Sequence, residues 1–404
     1  MDVHYDPYDP AFHADPHPVF HRVRTLDPVH LHEPTGSWLV TRYDDVFAGL
    51  SDRRLSADRF HLSDANIQGS PLLRALGSMM LFKDPPAHTR MRSLVSKAFT
   101  PRAVTEMRPR TEAIAAELLA RCAAAGEMDV IDDFAAPLPV TVIAAMLGIP
   151  PSDYPLFKRW SDDLVKIADG TLAAAAFPQA ERSAGELHAY LDAAFVARRQ
   201  APRDDLISRL VAARDEGDAL SNDELFATCV LLLIAGHETT TNLIGNALFA
   251  LLRHPDQLEL LRRTPDLIGN AVEELLRFEA PFQITSRVAA EDMELRGKPI
   301  QRGQEIVLCL TAANRDPEQF VDPDRLDLKR AEIQHVAFGH GIHFCLGAAL
   351  ARIEGQVAID ALIGLPGLEL AAAAPAWKPG LALRGLETLP VRFAAHRPGA
   401  TRAA

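Results

Sequence analysis

The sequence predicts a mainly α-helical fold with a small, segregated β portion (α+β), built as a single large domain over residues 1–404. Three observations carry this. The pattern is mostly helical from about residue 86 to residue 280, and it includes one run of roughly 30 residues. Short β-branched segments separated by turn residues cluster between residues 284 and 310. No linker separates the two kinds of structure, and no repeat or low-complexity stretch is visible.

The elements follow in order. A strand signal, "SWLVT", lies at 37–41. "HTRMRSLVSKAF" (88–99) opens the helical stretch, and "PRTEAIAAELLARCAAAG" (109–126) ends on a glycine stop signal. The prolines of "LGIPPSDY" (147–154) mark a break between helices. The longest helix is expected to start at "SNDE", where Ser221 and Glu224 have capping-box spacing, and to run to about Arg253. At 1.5 Å per residue it spans roughly 45 Å, enough to cross a domain of this size. The next helix is expected to open with Thr264 as cap and Pro265 in its first turn, and to stop before Pro281. "ITSRVAA", "MELRGKPI" and "QEIVLCL" then read as strands, and residues from about 395 to 404 as a disordered tail.

Composition narrows the function classes. Apolar residues make up 48% of the chain and charged residues 24%, a soluble globular balance. A net charge of −12 argues against nucleic acid as a general partner. The most apolar stretch, "CVLLLIAG" (229–236), is far short of the roughly 20 residues a membrane helix needs. The acidic, proline-rich start is not a signal peptide. Four scattered cysteines suggest no disulfide framework, so a cytoplasmic monomer with reduced thiols is expected.

One cysteine stands apart. Cys122, Cys229 and Cys309 read as small buried hydrophobes. Cys345 lies in "FGHGIHFCLG" (338–347), among glycines that allow unusual backbone conformations. His335, His340 and His343 are near, but their spacing matches no usual zinc pattern, and "HETTT" (237–241) lacks the second histidine of a zinc protease. Phe338, Gly341, Cys345 and Gly347 fit F-x-x-G-x-x-x-C-x-G. With the helical "AALARIEGQVAIDAL" that follows, this resembles the haem-binding loop of the cytochrome P-450 enzymes.

The resemblance extends over nearly the whole chain, from about "WLVTRYDDV" to "TLPVRF", and implies the cytochrome P-450 fold, with the long helix crossing the haem. It implies heme b (iron protoporphyrin IX), with Cys345 as the thiolate ligand of iron and Phe338, Gly339 and Gly347 against the cofactor. A thiolate ligand favours O–O cleavage, and backbone amides and a helix start would stabilise it. "LIAGHETTTN" (234–243) resembles the family's A-G-x-[DE]-T element. There Ala235 and Gly236 would open room for O2, Thr239 would be the hydrogen-bonding alcohol and Glu238 the proton-relaying acid. His88, Arg92, Arg287 and His343 occupy positions of propionate partners. Glu274 and Arg277 resemble the family's E-x-x-R pair, whose third, structural partner would be Arg325 in "PDRL".

The expected activity is that of a monooxygenase inserting one oxygen atom from O2 into a hydrophobic small molecule, by hydroxylation or epoxidation, as in secondary metabolism. No GxGxxG stretch follows a strand, and the resemblance implies that NAD(P)H acts only indirectly, through a ferredoxin and a ferredoxin reductase. An acidic redox partner could meet Arg90, Lys97, Arg102 and Arg352 on the thiolate side. By the same resemblance, residues 60–82, 166–179 and 282–286 would wall the substrate pocket. A non-catalytic haem-thiolate gas sensor or ligand-binding protein is the alternative, against which Glu238 and Thr239 weigh.

Overall fold

The computed structural model describes residues 5–58, 71–168, 173–213, 218–371 and 375–395. The expected disordered tail from residue 396 onward lies outside them, as do residues 60–70 and 169–172 of the expected pocket walls. Helices dominate. In chain order those that matter here are α1 (Ala87–Ala98), α2 (Arg108–Cys122), α3 (Pro137–Leu147), α4 (Tyr154–Ala168), α5 (Ala173–Gln200), α6 (Asn222–Arg253), α7 (Pro255–Arg263), α8 (Ile268–Phe278) and α9 (Ala348–Ile363).

The 32-residue α6 is the axis of the helical part, about 48 Å long. It starts as the sequence predicts. The Glu224 amide donates to the Ser221 hydroxyl at 3.2 Å, and the Ser221 amide donates to the Glu224 carboxylate at 2.9 Å. Helices α3 and α9 pack along it. The proline break between α3 and α4 falls where the sequence predicts it. Gly148 ends α3 at φ 79°, and a 3-10 turn at Pro151–Asp153 precedes α4. The expected helix from Thr264 differs. Pro265–Leu267 forms a 3-10 turn that Thr264 does not cap with its side chain, and α8 begins only at Ile268.

The largest β element is a five-stranded sheet, and a three-stranded sheet joins Glu127–Asp129, Pro390–Arg392 and Glu369–Leu370. The strands of the larger sheet are β1 (Val29–His32), β2 (Ser37–Val40), β3 (Leu55–Ser56), β4 (Ile284–Ala289) and β7 (Glu305–Cys309), in the order β1-β2-β7-β4-β3. Only β2 and β7 run parallel, with Trp38 opposite Ile306; Arg287 of β4 faces Ile306 from the other side. β5 (Met293–Leu295) and β6 (Lys298–Ile300) form the hairpin expected in "MELRGKPI". The strand β1 and the helices before residue 86 lie outside the elements the sequence predicts.

The connection from sheet to cysteine loop is held by buried charge. Glu274 and Arg277 of α8 are both fully buried and make a two-pronged pair at 2.7 and 2.8 Å. Arg277 also donates to the carbonyls of Asn314 (3.0 Å) and Pro323 (2.8 Å). The third partner is not Arg325, as the resemblance implied, but Arg330, whose Nε lies 3.1 Å from each Glu274 oxygen. A turn in which the Arg325 amide donates to the Asp322 carbonyl turns the Arg325 side chain out to solvent; its carbonyl alone joins, accepting from Arg277 and Arg330. The next turn, Arg330 amide to Asp327 carbonyl, brings Arg330 back in.

Breaking a buried pair leaves an uncompensated charge, so Glu274→Ala is expected to cost about 3–5 kcal/mol in urea unfolding. Arg325→Ala should stay within about 0.5 kcal/mol. Its neighbour Glu273 gives a pH signature. Burial raises its pKa, but Arg352 (2.7 and 2.8 Å) and His335 (3.2 Å) outweigh that and hold it at about 2, against an ordinary 4.5. A depressed folded pKa adds stability above the ordinary carboxylate range that is lost as pH falls through the folded value. Glu273→Gln should therefore remove up to about 3 kcal/mol at neutral pH and flatten the loss of stability between about pH 4.5 and 2.

Candidate active site

The cysteine loop is shaped by its glycines. Gly339 and Gly341 have φ of 70° and 72°, in the left-handed region, and a Cβ on Gly341 would come within 3.0 Å of the Leu50 carbonyl. The loop closes where the Cys345 amide donates to the Phe338 carbonyl at 3.0 Å. Cys345 is half-buried, and α9 starts three residues later. Burial pushes the thiol pKa up. The amides of Gly347 and Ala348, aimed at the sulfur, and the cations Arg92 and Arg352 pull the other way. Cys229 and Cys309 have no such cations, and burial pushes each up to about 12. Burial still wins at Cys345, whose thiol stays above its ordinary value, but it alone of these three has amides and cations together opposing that rise. Phe338 is held beneath the Arg352 guanidinium, 4.6 Å from its centroid, with Phe344 edge-on at 6.3 Å.

Around the loop gather the two histidines and two arginines the sequence singled out. His88 and Arg92 come from α1, Arg287 from β4, and His343 from the loop itself. The His88 and His343 rings lie 4.3 Å apart. His88 Nδ1 and His343 Nε2 are buried and have no hydrogen-bond partner. Burial, then Arg287 and His88, drive the His343 pKa down to about 3; burial and Arg92 lower that of His88. Arg92 donates to the Phe344 carbonyl at 2.9 Å, and the buried Arg287 to the Thr285 hydroxyl at 3.1 Å. Orphaned imidazoles beside two guanidiniums fit a ligand that brings carboxylates, and the shielded thiol fits its metal. Haem has both.

The middle of α6 supplies the other wall. Its neighbours are buried, yet Ala235 is exposed and Gly236, Glu238 and Thr239 are half-buried, so the helix is bared there. The Thr239 hydroxyl donates back to the Ala235 carbonyl at 2.6 Å. Glu238 points elsewhere, pairing with Lys378 at 2.7 Å. His237 is buried and lies 2.9 Å from the Ser161 hydroxyl of α4.

Two readings change. Arg90 and Arg352 do not offer open charge on the thiolate side: Arg90 is paired with Glu224 and Asp218, and Arg352 with Glu273. Arg102 is highly exposed but paired with Glu106. Lys378 and Arg330, by contrast, carry no motif. Lys378 lies 140 residues from Glu238, and no local pattern could have pointed to it. Among the described residues no helix is long and apolar enough to cross a membrane, and no cluster of three or more metal-ligating side chains exists.

The family model described as cytochrome P450 matches residues 64–264 and 266–364. The chain is 44% identical over 401 residues to cytochrome P450 107B1 of Saccharopolyspora erythraea, covering 95% of this chain and 96% of that one. It is 44% identical over 394 residues to vitamin D(3) 25-hydroxylase of Pseudonocardia autotrophica, with 96% of each covered. The crystal structure of P450BioI in complex with hexadec-9Z-enoic acid ligated acyl carrier protein superposes with a TM-score of 0.89 at 40% identity, over 95% of this chain and 99% of that one. A cysteine loop, a cluster of histidines and arginines and a bared helix turn thus coincide with full-length likeness at this identity, and the chain is a cytochrome P450 monooxygenase.

Proposed function

We propose that the protein hydroxylates an apolar small molecule, with heme b held by Cys345 and electrons delivered by a ferredoxin and its NAD(P)H-dependent reductase. When bound, thiolate-ligated haem supplies the activation of O2, so that one oxygen atom enters the substrate and the other leaves as water. The observation that carries this reading is the bared turn of α6, where an acid and an alcohol, Glu238 and Thr239, adjoin the small residues Ala235 and Gly236. A protein that only bound a gas would need room there but no acid–alcohol pair.

The chain's own residues then have distinct tasks. Arg92 and Arg287 would supply the charge that meets the propionates, and His88 and His343 hydrogen bonds to them; Phe338, Gly339 and Gly347 would seat the ring and shield the sulfur. Ala235 and Gly236 would leave space for O2, the Thr239 hydroxyl would turn from the Ala235 carbonyl to donate toward it, and Glu238 would move protons inward. The hydroxylase among the relatives supports hydroxylation over epoxidation. The cytoplasm suits a thiol that must stay reduced. A redox partner would meet the thiolate side, where Ile342 and Phe344 are exposed at 50% and 40%. With Arg90 and Arg352 already paired, apolar contact carries more of this docking than charge, and modest salt dependence follows.

Two measurements test this. The reduced, carbon monoxide-bound protein should show the thiolate-type Soret shift, and Cys345→Ala should abolish it. Thr239→Ala should lower product per reducing equivalent several-fold, with the electrons recovered as hydrogen peroxide; an unchanged yield would refute the role of Thr239.

A further inference from the structure

We infer that Lys378 is a positioning residue for proton delivery, and that the seam between the C-terminal hairpin and α6 is where protons enter from solvent. The inference rests on the acid–alcohol reading above. Residues 376–387 form a hairpin, closed where the Lys378 amide donates to the Gly385 carbonyl (2.9 Å) and the Glu387 amide to the Ala376 carbonyl (2.8 Å). It lies along one stripe of α6. Glu238, Asn242 and Asn246 follow at four-residue intervals and so share a face, on which Phe249 also lies. Each meets the hairpin. Lys378 holds Glu238, and Asn246 donates to the Arg384 carbonyl at 2.9 Å. The Phe249 ring lies 6.0 Å from that of Trp377. Gly385 sits so close that a Cβ there would clash with the Asn242 side chain.

This seam is polar, and part of it lacks protein partners. Asn242 is 1% exposed, yet neither its Oδ1 nor its Nδ2 has a partner; Asn246 Oδ1 is also unpaired. Buried amides in that state are ordinarily satisfied by ordered water. The Lys378 side chain is 35% exposed and that of Glu238 14%, so the pair bridges solvent and the bared turn of α6. Lys378 is placed to anchor the carboxylate through the ion pair, not to relay the proton itself. Its task is to hold the Glu238 carboxylate at the wet end of the seam. There the carboxylate takes a proton from water at one oxygen and passes it toward Thr239, one residue along the same turn.

The test uses the holoenzyme with Lys378→Met, which keeps the stem and removes the charge, Lys378→Glu, which repels Glu238, Lys378→Arg, and Glu238→Gln as reference. Lys378→Met should lower product per reducing equivalent about 3–10-fold and enlarge the solvent deuterium isotope effect, Lys378→Glu more so. Lys378→Arg should restore both to within about 2-fold, a rescue expected of a cation that anchors a carboxylate. The carbon monoxide spectrum should be unchanged throughout. Independently of turnover, amide exchange across residues 376–387 should quicken in Lys378→Met and Glu238→Gln alike. Wild-type coupling and isotope effect in both Lys378→Met and Lys378→Glu, beside a defective Glu238→Gln, would overturn this inference alone. Wild-type coupling in Glu238→Gln would overturn the acid role and the inference with it.

Discussion

The buried charge cluster of Glu274, Arg277 and Arg330 is the constraint on which the site rests. A carboxylate and a guanidinium at full burial are tolerable only if every lone pair and proton is used. Here they are used on backbone. Arg277 reaches the carbonyls of Asn314 and Pro323, and Glu274 accepts from the Asp327 amide. The irregular stretch between β7 and the cysteine loop is therefore tied to α8 at several points. Asn314 extends the tie by accepting from the Val336 amide at 2.8 Å, two residues before Phe338. A loop with two left-handed glycines has little rigidity of its own. Its shape is borrowed from the charge cluster at one end and from the start of α9 at the other.

The long helix serves two sides at once. Toward the site it presents small residues and hydroxyls; toward the C-terminal hairpin it presents Glu238, Asn242 and Asn246. Glu238 belongs to both, being next to Thr239 in sequence and next to Lys378 in space. Most of the helix is buried and apolar, so its polar atoms are conspicuous. Thr239 and Thr241 bond back to the preceding turn, which is how a helix accommodates threonine away from water. Asn242 makes no such bond: it is 1% exposed, and neither atom of its amide has a hydrogen-bond partner.

Around the cysteine, electrostatics and sterics agree. Amides of the first turn of α9 point at the sulfur, and Arg92 and Arg352 stand near it. Arg352 is itself held by Glu273, on the residue before the Glu274 cluster. Two adjacent glutamates on α8 therefore look in different directions, one pinning the approach to the loop and the other pinning the guanidinium that covers Phe338.

What the sequence by itself determined is whatever depends on short-range geometry. The cap of α6, the proline break between α3 and α4, the glycine-shaped loop at Cys345 and the Glu274–Arg277 spacing are all set within a few residues by sterics and hydrogen bonding. The gathering of His88, Arg92, Arg287 and His343 was legible only through likeness to a family, because it joins segments far apart in the chain. The tertiary structure decided which partner each charge takes. Arg330 rather than Arg325 completes the cluster because two successive turns face one side chain out and the other in. Lys378 meets Glu238 because a hairpin from the far end of the chain packs on α6. A charge is indifferent to sequence distance, so its partner is chosen by packing, and packing is a property of the whole fold.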